Sequence, residues 1–126
     1  MKKEIIAGAM LVLILALSLV NTCAIGYLCD DIGGFITQAG ELAEKEDWSG
    51  SEQAIRRAIS LWEDNEGYTH IVLRHTDIET LSDDFYELLE HIYSQDPGSV
   101  RGAVELVNGH LNGIKDMEKL RFGSIF

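Results

Sequence analysis

The sequence predicts an all-α protein: an N-terminal transmembrane helix followed by a small antiparallel bundle of about four helices. Three observations carry this expectation. The stretch from Ile5 to Leu28 holds no charged residue. Beyond it, apolar residues recur three and four positions apart, and nowhere does the chain alternate strongly as a half-buried strand does. One proline interrupts the whole sequence, so little stands in the way of long helices.

The first helix follows from the apolar run. Its 24 residues extend about 36 Å at roughly 1.5 Å per residue, enough to cross a hydrocarbon core of about 30 Å. Lys2 and Lys3 hold the amino terminus on the cytoplasmic side, and Asp30 and Asp31 follow the run, so the remainder is expected outside the cytoplasm. A division into a membrane anchor or signal segment, 1–29, and an extracytoplasmic domain, 30–126, results. An uncleaved anchor is the preferred form. Cleavage after Ala24-Ile25-Gly26 would leave Tyr27 as the new terminus, and lipidation at Cys23 is disfavoured because Thr22 is bulky for that site. Cys23 and Cys29 stand about 240° apart around a helix and cannot pair within it, which leaves Cys29 open to an intermolecular bridge.

The same helix is expected to continue outward through Ile32, Phe35, Ile36, Ala39, Leu42 and Ala43, with Gly33 and Gly34 as a flexible joint or a tolerated weak spot. Ser49 and Glu52 have the spacing of a capping box and predict the start of a second helix. Its stripe runs through Ala54, Ala58, Leu61, Tyr68, Val72 and His75 when Asn65 is counted between Leu61 and Tyr68, which favours one long helix through Gly67 over a break at Asn65-Glu66-Gly67. Thr76 and Glu79 repeat the capping-box spacing before a third helix, whose core face is Ile78, Leu81, Phe85, Leu88, Leu89 and Ile92. Asp83, Asp84, Glu87 and Glu90 are assigned to its outer side. Asp96-Pro97 ends that helix and begins a fourth, since Asp caps well and Pro suits the first helical position. Val100, Ala103, Val104, Val107, Leu111, Ile114 and Met117 form its stripe. The ending is too apolar for a solvated terminus, so Phe122, Ile125 and Phe126 are expected to pack back on the bundle or meet a partner.

Composition excludes several functions. With 21 acidic and 10 basic residues the net charge is −11, and phosphate backbones bind clustered Lys and Arg instead. Two cysteines exclude a disulfide-rich scaffold and a four-cysteine zinc site. His70 and His75 lie five apart, about 140° around a helix, which is the wrong spacing for a zinc pair on one face. His75 beside Asp77 has the residue types of an oriented general base. The capping box through Thr76 and Glu79 accounts for most of that motif without chemistry. No nucleophile elbow, phosphate loop or calcium loop is present. Weak divalent-cation binding by Asp77, Asp83, Asp84 and Glu87 competes with a plain solvated face. Gly109-x-x-x-Gly113 would let another helix approach closely or would simply weaken its own helix.

The Lys-Lys start with its apolar run, Asp47-Trp48, Trp62, His75-Thr76-Asp77-Ile78-Glu79 and the ending from Leu120 to Phe126 are the residues that carry a family likeness. On these the chain resembles an uncharacterised family of short, single-pass, membrane-anchored helical proteins of endospore-forming bacteria, known only as a domain of unknown function. It departs from that family at Ser124, where an Asn is expected. The resemblance implies no activity, catalytic residue, metal or cofactor. It implies a companion of multi-span membrane proteins.

The expectation is therefore a non-enzymatic, membrane-anchored interaction or accessory module, self-associating or bound to a multi-span membrane protein, without nucleic acid. Its candidate interaction or structural positions are Trp48, Trp62, His75, Asp77, Phe122, Ile125 and Phe126. The alternative is a secreted or anchored ligand-binding or sensor domain centred on His75 and Asp77.

Overall fold

The computed structural model describes residues 1–125, the side chain of Ile125 excepted. These form five helices: α1 (Lys2–Glu44), α2 (Trp48–Asp64), α3 (Glu66–Val72), α4 (His75–Tyr93) and α5 (Pro97–Ile125). No strand occurs among the described residues. The outer half of α1 packs against α2 and α5, and α4 closes the ring by packing against the same two helices. The result is an up-and-down four-helix bundle, with short α3 bridging α2 and α4 at one end.

α1 is unbroken across 43 residues. Up to Val20 its apolar side chains point away from the rest of the protein, and Ile5, Val12 and Val20 are each more than 60% exposed. The stripe changes role at Ile25, which is fully buried, and Cys29, Ile32, Ile36, Ala39 and Ala43 follow it into the core. The core therefore begins within the apolar run itself, at Ile25. Gly33 and Gly34 do not interrupt the helix. A Cβ on Gly33 would lie 3.3 Å from Asn108 Oδ1, and one on Gly40 would lie 3.1 Å from Val104 Cγ2. Gly33 is thus a place where α5 comes close; neither expected role for it, joint or weak spot, describes that contact. Cys29 is 2% exposed among its core neighbours and closed to a partner's thiol, so the intermolecular bridge is not supported, whereas Cys23 is exposed.

At the end of the bundle remote from the apolar half of α1, two tight turns reverse the chain. Glu46 and Gln95 both take left-handed backbone angles, φ 61° and 54°. In each turn the N–H of the left-handed residue and that of its successor return to carbonyls of the last helical turn, Ala43 and Leu42 in one, Ile92 and His91 in the other. Asp96 caps α5 as expected: its Oδ1 accepts from the N–H groups of Gly98 and Ser99, and the Ser99 hydroxyl donates to Oδ2 at 2.7 Å.

Both proposed capping boxes are corrected. α2 is capped by Asp47, whose carboxylate accepts from the Gly50 N–H at 3.0 Å. Ser51 is instead fully buried, and its hydroxyl donates to the Ala39 carbonyl at 2.7 Å, tying α2 to α1. α4 begins at His75 with no side-chain cap, and Glu79 turns to His75, 2.9 Å away. The long second helix is corrected too. It stops at Asp64, Asn65 serves as the joint, and α3 starts at Glu66. Asn65 donates its side-chain amide to the Leu61 carbonyl at 2.8 Å, the local competition for backbone partners that makes Asn a weak helix interior residue.

The remaining stripes hold. Ile78, Leu81, Phe85, Leu88, Leu89 and Ile92 are all buried, as are Val100, Val107, Leu111 and Ile114. Two acidic residues join them, Asp84 at 8% exposure, against its assignment to the outer side, and Glu118 at 5%, while Met117 is exposed.

Candidate functional site

Leu81 and Leu88 are core residues, and Asp84 lies three after one and four before the other, so helical geometry places it on the inward side. A buried carboxylate needs a partner. Asp84 has one in His110 of α5, whose Nδ1 hydrogen-bonds its Oδ2. The imidazole is held at the rim of a groove between α4 and α5 of about 220 Å³, lined by Asp77, Thr80, Leu81, Gly109, Gly113 and Ile114 among others. Beyond the adjoining backbone of α5 itself, no atom lies within 4 Å of where a Cβ would stand on Gly109 or Gly113, so these glycines leave the groove open and admit no other part of the chain. Chemically the arrangement is a histidine oriented by a buried carboxylate. Among the described residues no group of three or more His, Cys, Asp or Glu converges as a metal site.

The second polar cluster lies where the bundle meets the free half of α1. Asn21 of α1 accepts a hydrogen bond from the Tyr68 hydroxyl of α3 and donates to Glu118 Oε2 of α5 at 3.5 Å. Arg121 donates to Glu118 Oε1 at 3.1 Å and to the Val72 carbonyl at 3.2 Å. Four polar side chains thereby lock three helices together at the point where the apolar half of α1 leaves the bundle. Burial, together with the nearby Glu118 charge, pushes the Tyr68 phenol above its ordinary range, so it stays a hydrogen-bond donor. One turn further along, Lys115 of α5 pairs with Asp30 of α1, and that bond raises the ammonium's pKa.

The sequence-predicted positions fall in separate places. Trp48 is half-buried at the start of α2, at the far end of the bundle. Trp62 belongs to the core: it meets Phe85 edge-on at 5.9 Å between ring centroids, and its indole N–H donates to Ser82 at 3.3 Å. His75 pairs with Glu79, while Asp77 pairs with Arg74 at 3.5 Å. The two side chains line different grooves, so the structure does not assemble the His75–Asp77 couple. Asp77 instead shares its groove with His110. The proposed Asp77, Asp83, Asp84 and Glu87 cation cluster is likewise not assembled, because Asp84 is turned to His110. Phe122 is half-buried at the end of α5; Phe126 and the side chain of Ile125 lie outside the described residues.

Asp84–His110 and the Asn21–Tyr68–Glu118–Arg121 cluster are both absent from the expectations drawn from sequence. A signal for their acidic members was present. Asp84 and Glu118 each occupy a stripe position, Glu118 four after Ile114 and seven after Leu111, and a charge on an apolar face asks for a partner. The partners themselves sit on other helices and carry no signal of their own.

Comparison with known proteins adds one match. A family model described as Domain of unknown function (DUF4363) covers residues 20–125. No curated protein and no solved structure matches the chain.

Proposed function

The chain belongs to the DUF4363 family, whose description assigns no activity, and we propose that it serves as a membrane-anchored accessory module whose acidic bundle is presented outside the cytoplasm to a protein partner. The observation that carries this reading is the unbroken course of α1. One helix, long and apolar enough to cross a membrane, leaves its first half uncovered and builds its second half into the bundle core. A rigid connection of this kind suits a part that holds a domain at a set height over the bilayer. Lys2 and Lys3 support a cytoplasmic amino terminus. A multi-span membrane protein or a second copy is the partner class, and the role is non-enzymatic.

The test is the intact mass of the protein in fractionated cells, combined with photo-crosslinking from position 48. A membrane-bound species retaining Lys2 that crosslinks to a discrete partner is the expected result. A soluble species beginning at Tyr27 would remove the anchor and overturn the reading.

One observation favours a second reading. The α4–α5 groove is rimmed by a histidine oriented by a buried carboxylate, and Asp77 lines it, which suits a small polar ligand in a sensor domain. A ligand screen read by melting temperature tests it; if no compound shifts the wild type more than a His110→Ala variant, the groove has no such role.

A further inference from the structure

We infer that the bundle does not stand clear of the membrane but rests on it, with α3 and the last turns of α5 seated in the headgroup and upper acyl region of the bilayer that α1 crosses. This inference rests on the anchored reading above and adds where the domain lies.

The length of α1 sets the level. The apolar residues outside the bundle run from Ile5 to Val20, sixteen positions, or about 24 Å at roughly 1.5 Å each. A hydrocarbon core is about 30 Å thick, so the apolar layer must extend to about Ala24, and any tilt of α1 brings it further along the helix. Ile25 is already in the protein core. The upper edge of the hydrocarbon therefore coincides with the level of Asn21 to Ile25. At that level α3 and α5 are already present, because Asn21 bonds Tyr68 and Glu118, and Arg121 ties α5 to the end of α3.

The surface there suits an interface. Ile71 of α3 is 83% exposed and Leu120 of α5 66%, in a bundle that otherwise places most of its large aliphatic side chains inward. Lys119, exposed beside Leu120, has a long stem suited to reach headgroup phosphates while its methylenes lie along apolar chains, and Arg74 and Arg121, exposed though paired with Asp77 and Glu118, add positive charge at the same level. Tyr68 and Tyr27 supply aromatic rings with polar tips near the same level. Glu118, which an anionic surface would repel, is buried and paired with Arg121.

Charge is divided along the bundle in the same sense. Residues 66–77 and 115–125, with Asp30 and Asp31 that lie at the level of Lys115, carry six acidic and four basic side chains, whereas residues 32–64 and 79–105 carry fourteen acidic and four basic. The end with the smaller charge imbalance faces the bilayer, and the strongly negative remainder is held away from it. A uniformly acidic domain would be pushed off anionic lipids.

Depth measurement by spin labels tests this on the full-length chain in phosphatidylethanolamine–phosphatidylglycerol vesicles. Labels are placed singly by Val12→Cys, Ile71→Cys, Leu120→Cys and Tyr93→Cys in a Cys23→Ala background, Cys29 being buried and closed to the reagent. All four sites are exposed, so the fold tolerates them. Accessibility to oxygen, which partitions into lipid, is compared with accessibility to an aqueous nickel chelate. The expected result is oxygen-favoured collisions at 12, 71 and 120 and nickel-favoured collisions at 93. Oxygen-favoured collisions at 12 with nickel-favoured collisions at 71 and 120 would leave the anchor intact and overturn the resting bundle. Protection of 71 and 120 from both reagents would mean that protein, not lipid, covers this end, and would also overturn it. Nickel-favoured collisions at 12 would refute the anchor itself.

Discussion

Two sets of glycines should respond in opposite directions to one added methyl group. In a helix interior, Ala is more favourable than Gly by about 1 kcal/mol. At Gly109 and Gly113 no atom beyond the adjoining backbone of α5 lies within 4 Å of the place a Cβ would take, so Gly109→Ala and Gly113→Ala should each realise most of that gain. For a domain of about 100 residues this is a rise in Tm of roughly 4–8 °C per substitution. Gly40 is different. Its Cβ would stand 3.1 Å from Val104 Cγ2 and 3.5 Å from Cγ1. Val104 is β-branched and stiff in a helix, so relief requires α1 and α5 to part. Overpacking of this kind costs about 1–3 kcal/mol, which cancels or outweighs the helix gain and leaves Gly40→Ala between neutral and about 2 kcal/mol destabilised. Val104→Ala should restore the space, so the two substitutions should be less costly together than their sum. Urea unfolding of the full chain in detergent, followed by the fluorescence of Trp62 packed against Phe85, reads these changes. A Gly40→Ala variant as stabilised as Gly109→Ala would refute the close approach of α1 to α5.

Removing the partner of a buried carboxylate is the second perturbation: His110→Ala leaves Asp84 without its hydrogen bond and should cost about 1–3 kcal/mol, with a double-mutant cycle against Asp84→Asn showing strong coupling. Additive single effects in that cycle would show that the pair does not act together. The left-handed turn residue Gln95 should gain from glycine, by about 0.5–1 kcal/mol for Gln95→Gly, since an L side chain is strained there; loss of stability in the same unfolding assay would contradict the turn geometry. The Asp96 carboxyl is held below its ordinary pKa by the Ser99 hydroxyl first, then by the N–H groups of Ser99 and Gly98. A depressed folded pKa means that its stabilisation is present above the unfolded value, about pH 4, and is lost as pH falls through the lower folded one. Asp96→Asn should therefore make the acid limb of the urea midpoint shallower, and superimposable acid limbs would refute the assignment.

Much of this protein is legible in the linear chain because the signals are local and repeat. Seven apolar positions on α5 and six on α4 mark their inward faces by spacing alone, with Met117 the one that fails. Asp96-Pro97 marks a helix start because both its cap and its first-turn geometry depend on neighbouring residues. The long apolar run of α1 shows itself by length and absence of charge. The boundaries fared worse. Ser49 and Thr76 have the right spacing for caps, yet Asp47 is the cap of α2, and Ser51 reaches a different helix altogether. A hydroxyl's partner is decided by what lies nearest in space, and at Ser51 that is the Ala39 carbonyl of α1.

The candidate site divides along the same line. His75 and Asp77 stand out in sequence because they are close along the chain, but a helix turns them to different grooves. Asp84 and His110 are 26 residues apart and form the couple that His75 and Asp77 do not. Fold class, the inward faces of α4 and α5 and the free apolar end of α1 are thus properties of the sequence by itself, since each follows from periodicity or composition within one segment. Which glycines are crowded, which carboxylates are buried, and that α3 and α5 end beside Asn21 depend on how separate helices meet. Those are long-range contacts, settled only when the bundle closes.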